Sequence, residues 1–338
     1  MIVVMEPSAT EENIQEVEEK VKDCGFQPHP DKGQHQTVIG VVGEGDREAA
    51  LNSLGAYPGV DEVIEITKPY KLSGKEFKPE PTVVDIDGVK VGGDNFTFMA
   101  GPCSVESKEQ LFEAAKAAKE GGAQMLRGGA FKPRTSPYSF QGLKEKGLKY
   151  LAEAREETGL KVVTEVMDPR EVELVAKYAD VLQIGARNMQ NYPLLREVGK
   201  TDTPVLLKRA MTGTYREFLL AAEYIMAGGN YDVMLCIRGI RTFVQDTRYT
   251  LDLSAVPVLR ELTHLPIVVD PSHSTGSWKY VPSISKAALA AGADGLLCEI
   301  HPDPKNALSD GPQSLKPENF KEMVEEMKPI AEAVGKKI

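Results

Sequence analysis

Four residues able to ligate a metal (Cys103, His273, Glu299 and Asp310) and six cations (Arg127, Lys132, Arg134, Arg187, Lys208 and Arg238) each lie at or soon after a short apolar run. A thiolate, an imidazole and two carboxylates form a mixed soft and hard donor set, suited to Fe(II), Zn or Mn rather than Mg or Ca. Arginine's planar fork matches carboxylate and phosphate, and a lysine among such groups can also carry a proton. Cations gathered in one pocket repel unless an anion joins them, so their convergence marks a site for small, multiply anionic ligands. Glu165, closing the run KVVTEV, is the acid at a strand end nearest to them in sequence. Taken singly, each has a plainer reading: a free Cys is usually a small buried hydrophobe, and a lone Arg a structural ion pair. The elements that carry these residues decide between the two.

Eight apolar runs carry them: FTFMAG, QMLRGGAF, KVVTEV, DVLQIGA, PVLLKRA, DVMLCIRG, PIVVDPS and GLLCEI, each followed by a helical pattern such as EQLFEAAKAAKEGG or REFLLAAEYIMAGG. Eight β-α units in about 250 residues match a (β/α)8 TIM barrel, whose active sites lie at the C-terminal strand ends. No G-x-G-x-x-G opens a helix, which disfavours an open doubly wound sheet. In order, the strands end in Cys103, in Arg127 with the KPRT loop, in Glu165, Arg187, Lys208, Arg238, His273, and in Glu299 with Asp310 in its loop. Strands one, seven and eight are neighbours in a closed barrel, and at ~4.8 Å between strands their tips can share one ion. Strands two, four, five and six bring the cations. Alternation turns Cys298 away from Glu299, towards the helices. His301 and Asp303 are lower-ranked rival ligands. Small residues beside the cations (Gly128, Gly129, Gly185, Ala186, Gly239) would let ligand oxygens approach backbone N–H groups.

The remaining sequence is an appendage and a connection. Residues 1–66 alternate as strand, helix, strand, strand, helix, strand, the order of a ferredoxin-like α+β unit. The stretch TKPYKLSGKEFKPEP, residues 67–81, reads as a linker, and the barrel is expected over 82–338, with a hairpin around Asp87-Gly88 at its start. The formal net charge of −10 belongs wholly to residues 1–66, so the rest is neutral. Neither part has the basic excess of a nucleic-acid binder, and no run approaches the ~18 apolar residues of a membrane span. The start MIVVMEPSATEE shows no signal peptide, so a cytoplasmic location is expected. Four dispersed cysteines argue against a disulfide framework or zinc ribbon.

The motifs AGPCSVES, RGGAFKPRTSPYSFQG, QIGARNMQN, LLKRAMTGT, CIRGIRTF, VVDPSHSTGS and CEIHPDPKNALSDGPQSL closely resemble those of 3-deoxy-D-arabino-heptulosonate 7-phosphate (DAHP) synthases. Residues 1–66 resemble the regulatory appendage of one branch of that family. The resemblance implies condensation of phosphoenolpyruvate with erythrose 4-phosphate at the head of the shikimate pathway. It implies one divalent metal per subunit, held by Cys103, His273, Glu299 and Asp310. Arg127, Lys132, Arg187, Lys208 and Arg238 would hold phosphoenolpyruvate, and Arg134 and Thr135 erythrose 4-phosphate. Lys132, Glu165 and Lys208 would handle protons and water. An aromatic effector, tyrosine or phenylalanine, would act at the N-terminal unit of a homo-oligomer, with a tetramer favoured. The alternatives are a sister synthase that uses arabinose 5-phosphate, a Schiff-base aldolase using Lys208, and a metabolite sensor without activity.

Overall fold

The computed structural model describes residues 1–33, 36–65 and 68–338, so the boundary expected at 66 and 67 lies outside the described residues. The chain divides into two compact units, Met1–Pro81 with Leu262–His264, and Thr82–Glu261 with Leu265–Ile338.

In the first unit, β1 (Ile2–Met5), α1 (Glu11–Asp23), β2 (Gln27–Lys32), β3 (Thr37–Val42), α2 (Arg47–Leu54) and β4 (Val60–Ile64) follow in that order. The sheet runs β2-β3-β1-β4 with antiparallel neighbours throughout, which is the ferredoxin-like arrangement. Thr10 and Asn13 cap α1 reciprocally, and its stripe Ile14, Val17 and Val21 packs on Met1, Val3, Met5, Ile39 and Val41. The stretch read as a linker is not a free tether. Its Tyr70, Leu72 and Phe77 are 6%, 0% and 1% exposed, because apolar anchors lie between the lysines and prolines that suggested solvent. The Leu72 carbonyl accepts His264 Nε2 at 2.7 Å, and the Leu262 carbonyl accepts Lys75 N at 3.3 Å.

The second unit opens with the hairpin β5 (Val84–Ile86) and β6 (Val89–Val91), turned through Asp87 and Gly88, both at positive φ. Eight parallel strands follow: β7 (Thr97–Gly101), β8 (Met125–Arg127), β9 (Lys161–Val166), β10 (Val181–Ile184), β11 (Val205–Lys208), β12 (Val233–Ile237), β13 (Ile267–Val269) and β14 (Gly295–Glu299). They pair in sequence, and β14 returns to β7 to close the barrel. Around them lie α3 (Lys108–Glu120), α4 (Glu145–Thr158), α5 (Val172–Ala176), α6 (Tyr192–Val198), α7 (Tyr215–Met226), α8 (Ala255–Leu262), α9 (Pro271–Thr275), α10 (Val281–Ala290) and α11 (Pro317–Ala333). The apolar face of α7, with Phe218, Leu219, Ala222, Ile225 and Met226 buried, is typical of the longer ones. Among the described residues, no helix is long and apolar enough to cross a membrane.

The barrel interior is layered. Met99, Met125, Val163, Val181, Leu206, Cys236, Val268 and Leu297 form one buried cluster, and Val84, Ile86 and Val91 of the hairpin close it from below. Strand side chains repeat their direction every two residues. Two positions further along β8 to β14, the same interior face therefore presents Arg127, Glu165, Gln183, Lys208, Arg238, Asp270 and Glu299. An apolar floor thus carries a charged layer at the C-terminal ends.

Candidate active site

Cys103, His273 and Asp310 come together with Glu299 of that layer, each offering one ligand atom, and these atoms all lie within 4.8 Å of one another. Cys103 Sγ is 3.0 Å from Asp310 Oδ2, and His273 Nε2 is 3.1 Å from Glu299 Oε1. Donors at ~2.0–2.3 Å from one ion stand at most about 4.6 Å apart, so a set spread over no more than 4.8 Å comes close to the dimensions of a single metal centre. Three local features create it. Asp270 caps α9 by accepting His273 N at 2.9 Å, and its Oδ2 lies 2.7 Å from His273 Nδ1, which leaves Nε2 for the cluster. Pairing of β14 with β7 brings Glu299 beside Gly101, two residues before Cys103. Asp310 takes a left-handed φ of 52°, a conformation that Asp tolerates better than most residues.

The electrostatics suit the donor set. Burial, with Glu299 next, pushes the Cys103 thiol up to about 12. Burial depresses His273, against the pull of Asp270 and Glu299. Burial, which opposes ionisation, is the largest single influence on Asp310 and Glu299, yet the neighbouring groups together outweigh it: His273, the Cys103 thiol and Arg248 at Asp310, and His273 with Arg127 at Glu299. Two carboxylates, an imidazole and a protonated thiol remain, and a bound cation would displace the thiol proton.

A cavity of about 290 Å³ opens onto the cluster, with His273 and Asp310 in its wall. Three of its cations are anchored by acids: Arg127 Nη1 donates to Glu299 Oε1 at 2.8 Å, Lys208 Nζ to Asp270 Oδ2, and Arg248 Nη1 to Asp310 Oδ1 at 3.0 Å. Breaking a buried pair from one side costs about 3–5 kcal/mol, so Arg127 and Lys208 hold fixed positions. Among the described residues, Lys132, Arg134, Arg187 and Arg238 have no carboxylate within ion-pair distance. Lys132 Nζ donates to Cys103 O and approaches Cys103 Sγ, each at 3.0 Å. Arg238 donates to the His273 carbonyl at 3.1 Å, and its guanidinium lies 4.4 Å from the ring centre of Tyr249. Among the described residues, buried Glu165 Oε1 has no partner, while Oε2 accepts Gln183 Nε2 at 3.1 Å.

Residues 72–334 match the family profile of the DAHP synthetase I family, and residues 1–68 that of the DAHP synthase ferredoxin-like domain. The chain belongs to the DAHP synthetase I family. It is 52% identical, over the full length of both chains, to phospho-2-dehydro-3-deoxyheptonate aldolase of Thermotoga maritima. The crystal structure of that aldolase, a DAHP synthase, superposes with a TM-score of 0.79 over 99% of this chain and 98% of the other. A more distant relative, 2-dehydro-3-deoxyphosphooctonate aldolase of Syntrophobacter fumaroxidans, is 32% identical over 72% of this chain and 90% of its own.

In this member of the DAHP synthetase I family, every cation named from the sequence lines the one cavity, as do Thr135 and Glu165. Cys298 lies on the opposite face, bonded to Ser285 of α10. His301 stands apart from the cluster of four: its Nδ1 accepts Asp303 N at 3.0 Å, and its Nε2 lies 3.5 Å from Glu106 Oε2. The small residues near the cations serve a purpose other than ligand approach at two positions. A Cβ on Gly185 would fall 2.0 Å from Glu165 Oε1, and one on Gly239 would fall 2.3 Å from Tyr249 Cβ, so both glycines make room for protein groups. Asp270, Gln183, Arg248, Tyr249 and Gln313 are functional neighbours that motif reading passed over. Counting two residues on from Val181 and Val268 finds Gln183 and Asp270; the other three sit in loops or short turns, where no period applies.

Proposed function

We propose that this protein condenses phosphoenolpyruvate with D-erythrose 4-phosphate and water, giving DAHP and inorganic phosphate as the first step of the shikimate pathway. The observation that carries this reading is the junction at Lys132. Its Nζ lies 3.0 Å from Cys103 Sγ, so a cavity rich in unpaired cations opens directly onto a four-donor cluster. Family membership and the 52% identity to the Thermotoga aldolase support the same reaction.

Arg127, Arg187, Lys208 and Arg238, with Lys132, hold the carboxylate and phosphate of phosphoenolpyruvate, and Arg134 and Thr135 receive erythrose 4-phosphate. Cys103, His273, Glu299 and Asp310 would hold one divalent ion, Fe, Zn or Mn, which would supply Lewis-acid polarisation of the aldehyde; C3 of phosphoenolpyruvate attacks the aldehyde carbon. Lys132, between the cluster and the cavity, gives a proton to the new alkoxide. Glu165 and Lys208 hold the water that adds at C2, and the resulting phosphohemiketal releases phosphate. The free Oε1 of Glu165 supports that role. The acidic ferredoxin-like unit is assigned to feedback inhibition by tyrosine or phenylalanine. A sheet face of this kind needs covering, which supports a homo-oligomer, with a tetramer favoured, working in the cytoplasm.

Phosphate release from the two substrates, with and without chelator and then with metal restored, tests the reaction. Release that stops with chelator and returns with metal is expected, with DAHP as product. Release that ignores chelator would point to a Schiff base on Lys208, and faster turnover of arabinose 5-phosphate would move the protein to the octulosonate branch.

A further inference from the structure

The two carboxylates of the cluster are engaged on both sides. Glu299 Oε1 faces His273 Nε2 at 3.1 Å and accepts Arg127 Nη1 at 2.8 Å, while its outer oxygen Oε2 accepts Gln313 Nε2 at 2.6 Å. Asp310 Oδ2 faces Cys103 Sγ at 3.0 Å, and its outer oxygen Oδ1 accepts Arg248 Nη1, also at 3.0 Å. The two outer donors are joined to each other, because Arg248 Nη1 also donates to Gln313 Oε1 at 2.7 Å. Arginine has donors only, so this bond fixes the amide of Gln313 with its NH₂ on Glu299. Gln313 is 2% exposed and its bond to Glu299 is buried, while Arg248 carries the link on to Asp310 at the more exposed side.

A free carboxylate can chelate a cation through both oxygens, the habit of large ions such as Ca²⁺. One whose outer oxygen already accepts a strong hydrogen bond offers only the inner one. We propose that Arg248 and Gln313 are positioning residues that tie back the outer oxygens of Asp310 and Glu299, so that each presents a single oxygen to a bound divalent cation. The cluster then supplies four protein ligand atoms, and small transition ions are favoured over Ca²⁺. The inference rests on reading Cys103, His273, Glu299 and Asp310 as a metal centre.

The test is titration of the full-length, metal-stripped protein with Co²⁺. The near-ultraviolet band of a Co²⁺–thiolate bond reports that the cluster binds the ion. The visible bands report coordination number, since they weaken as ligands are added. Gln313→Leu and Arg248→Leu are expected to bind Co²⁺ about 10- to 100-fold more weakly, with weakened visible bands as a freed oxygen joins the ion. Arg248→Lys, which keeps a cationic donor, should recover most of the spectrum. A purely structural role would lower the unfolding temperature of the metal-free variants without altering these bands. Arg248, 37% exposed along its side chain, keeps the test readable if Gln313→Leu fails to fold. If the wild type shows the thiolate band and the folded variants match it in affinity and spectrum, the tie-back is wrong and the metal centre stands. If the wild type shows no thiolate band, both fall.

Discussion

Glu165 is 5% exposed, yet its Oε1 has no donor, and an unsatisfied buried carboxylate oxygen costs stability that folding alone does not recover. In the proposed mechanism the water that adds at C2 would donate to this oxygen. Glu165→Gln should therefore lower kcat by about 10²- to 10⁴-fold while leaving KM for phosphoenolpyruvate within a few-fold, as read by steady-state phosphate release. Lys132 makes a different demand, because it touches both the cluster and the anion cavity. Lys132→Met should lower kcat and kcat/KM together; a raised KM with kcat near wild type would confine Lys132 to binding and remove it as proton donor. Cys103, Arg127, Lys132 and His273 were legible because their types are chemically conspicuous next to apolar runs. Gln183 and Gln313 were not, since a glutamine acquires meaning only from the two groups it bridges, Arg127 with Glu165 and Arg248 with Glu299.

The eight strands could be read at the level of elements because each is an apolar run of the length a buried parallel strand requires. Residues 68–81 could not, because Lys and Pro dominate the composition while only Tyr70, Leu72 and Phe77 carry the packing. His264 belongs to this packing: its Nε2 bonds the Leu72 carbonyl, and its ring centre is 6.3 Å from that of Phe77. Burial lowers its pKa from 6.5 to about 4. Between those values the unfolded chain binds the proton and the folded one does not, so the stabilisation is complete above pH 6.5 and is lost as pH falls towards 4. The first unit should be about 2 kcal/mol less stable at pH 5 than at pH 7 from this group alone. His264→Asn keeps a donor but does not titrate. Urea unfolding of the variant should show a smaller difference between the two pH values than the wild type does, and an unchanged difference would assign the acid sensitivity elsewhere.

At the scale of the whole molecule, charge and packing partition differently along the chain. The net −10 lies in residues 1–66, and the remainder is neutral, so a cut after residue 66 looks clean by charge. Packing puts the division at Pro81, because Leu72 and Phe77 are buried in the first unit. A chain beginning at residue 67 would leave these two side chains uncovered, at roughly 1.5–3 kcal/mol each, whereas one beginning at residue 82 removes them with all of their unit but Leu262–His264. The chain from residue 82 should therefore stay soluble, retain chelator-sensitive phosphate release, and lose inhibition by tyrosine or phenylalanine. The chain from residue 67 should lose the same inhibition but aggregate more readily, as light scattering at equal concentration would show. Inhibition that survives in the shorter chain would place the effector site on the barrel and leave the ferredoxin-like unit with assembly as its only task.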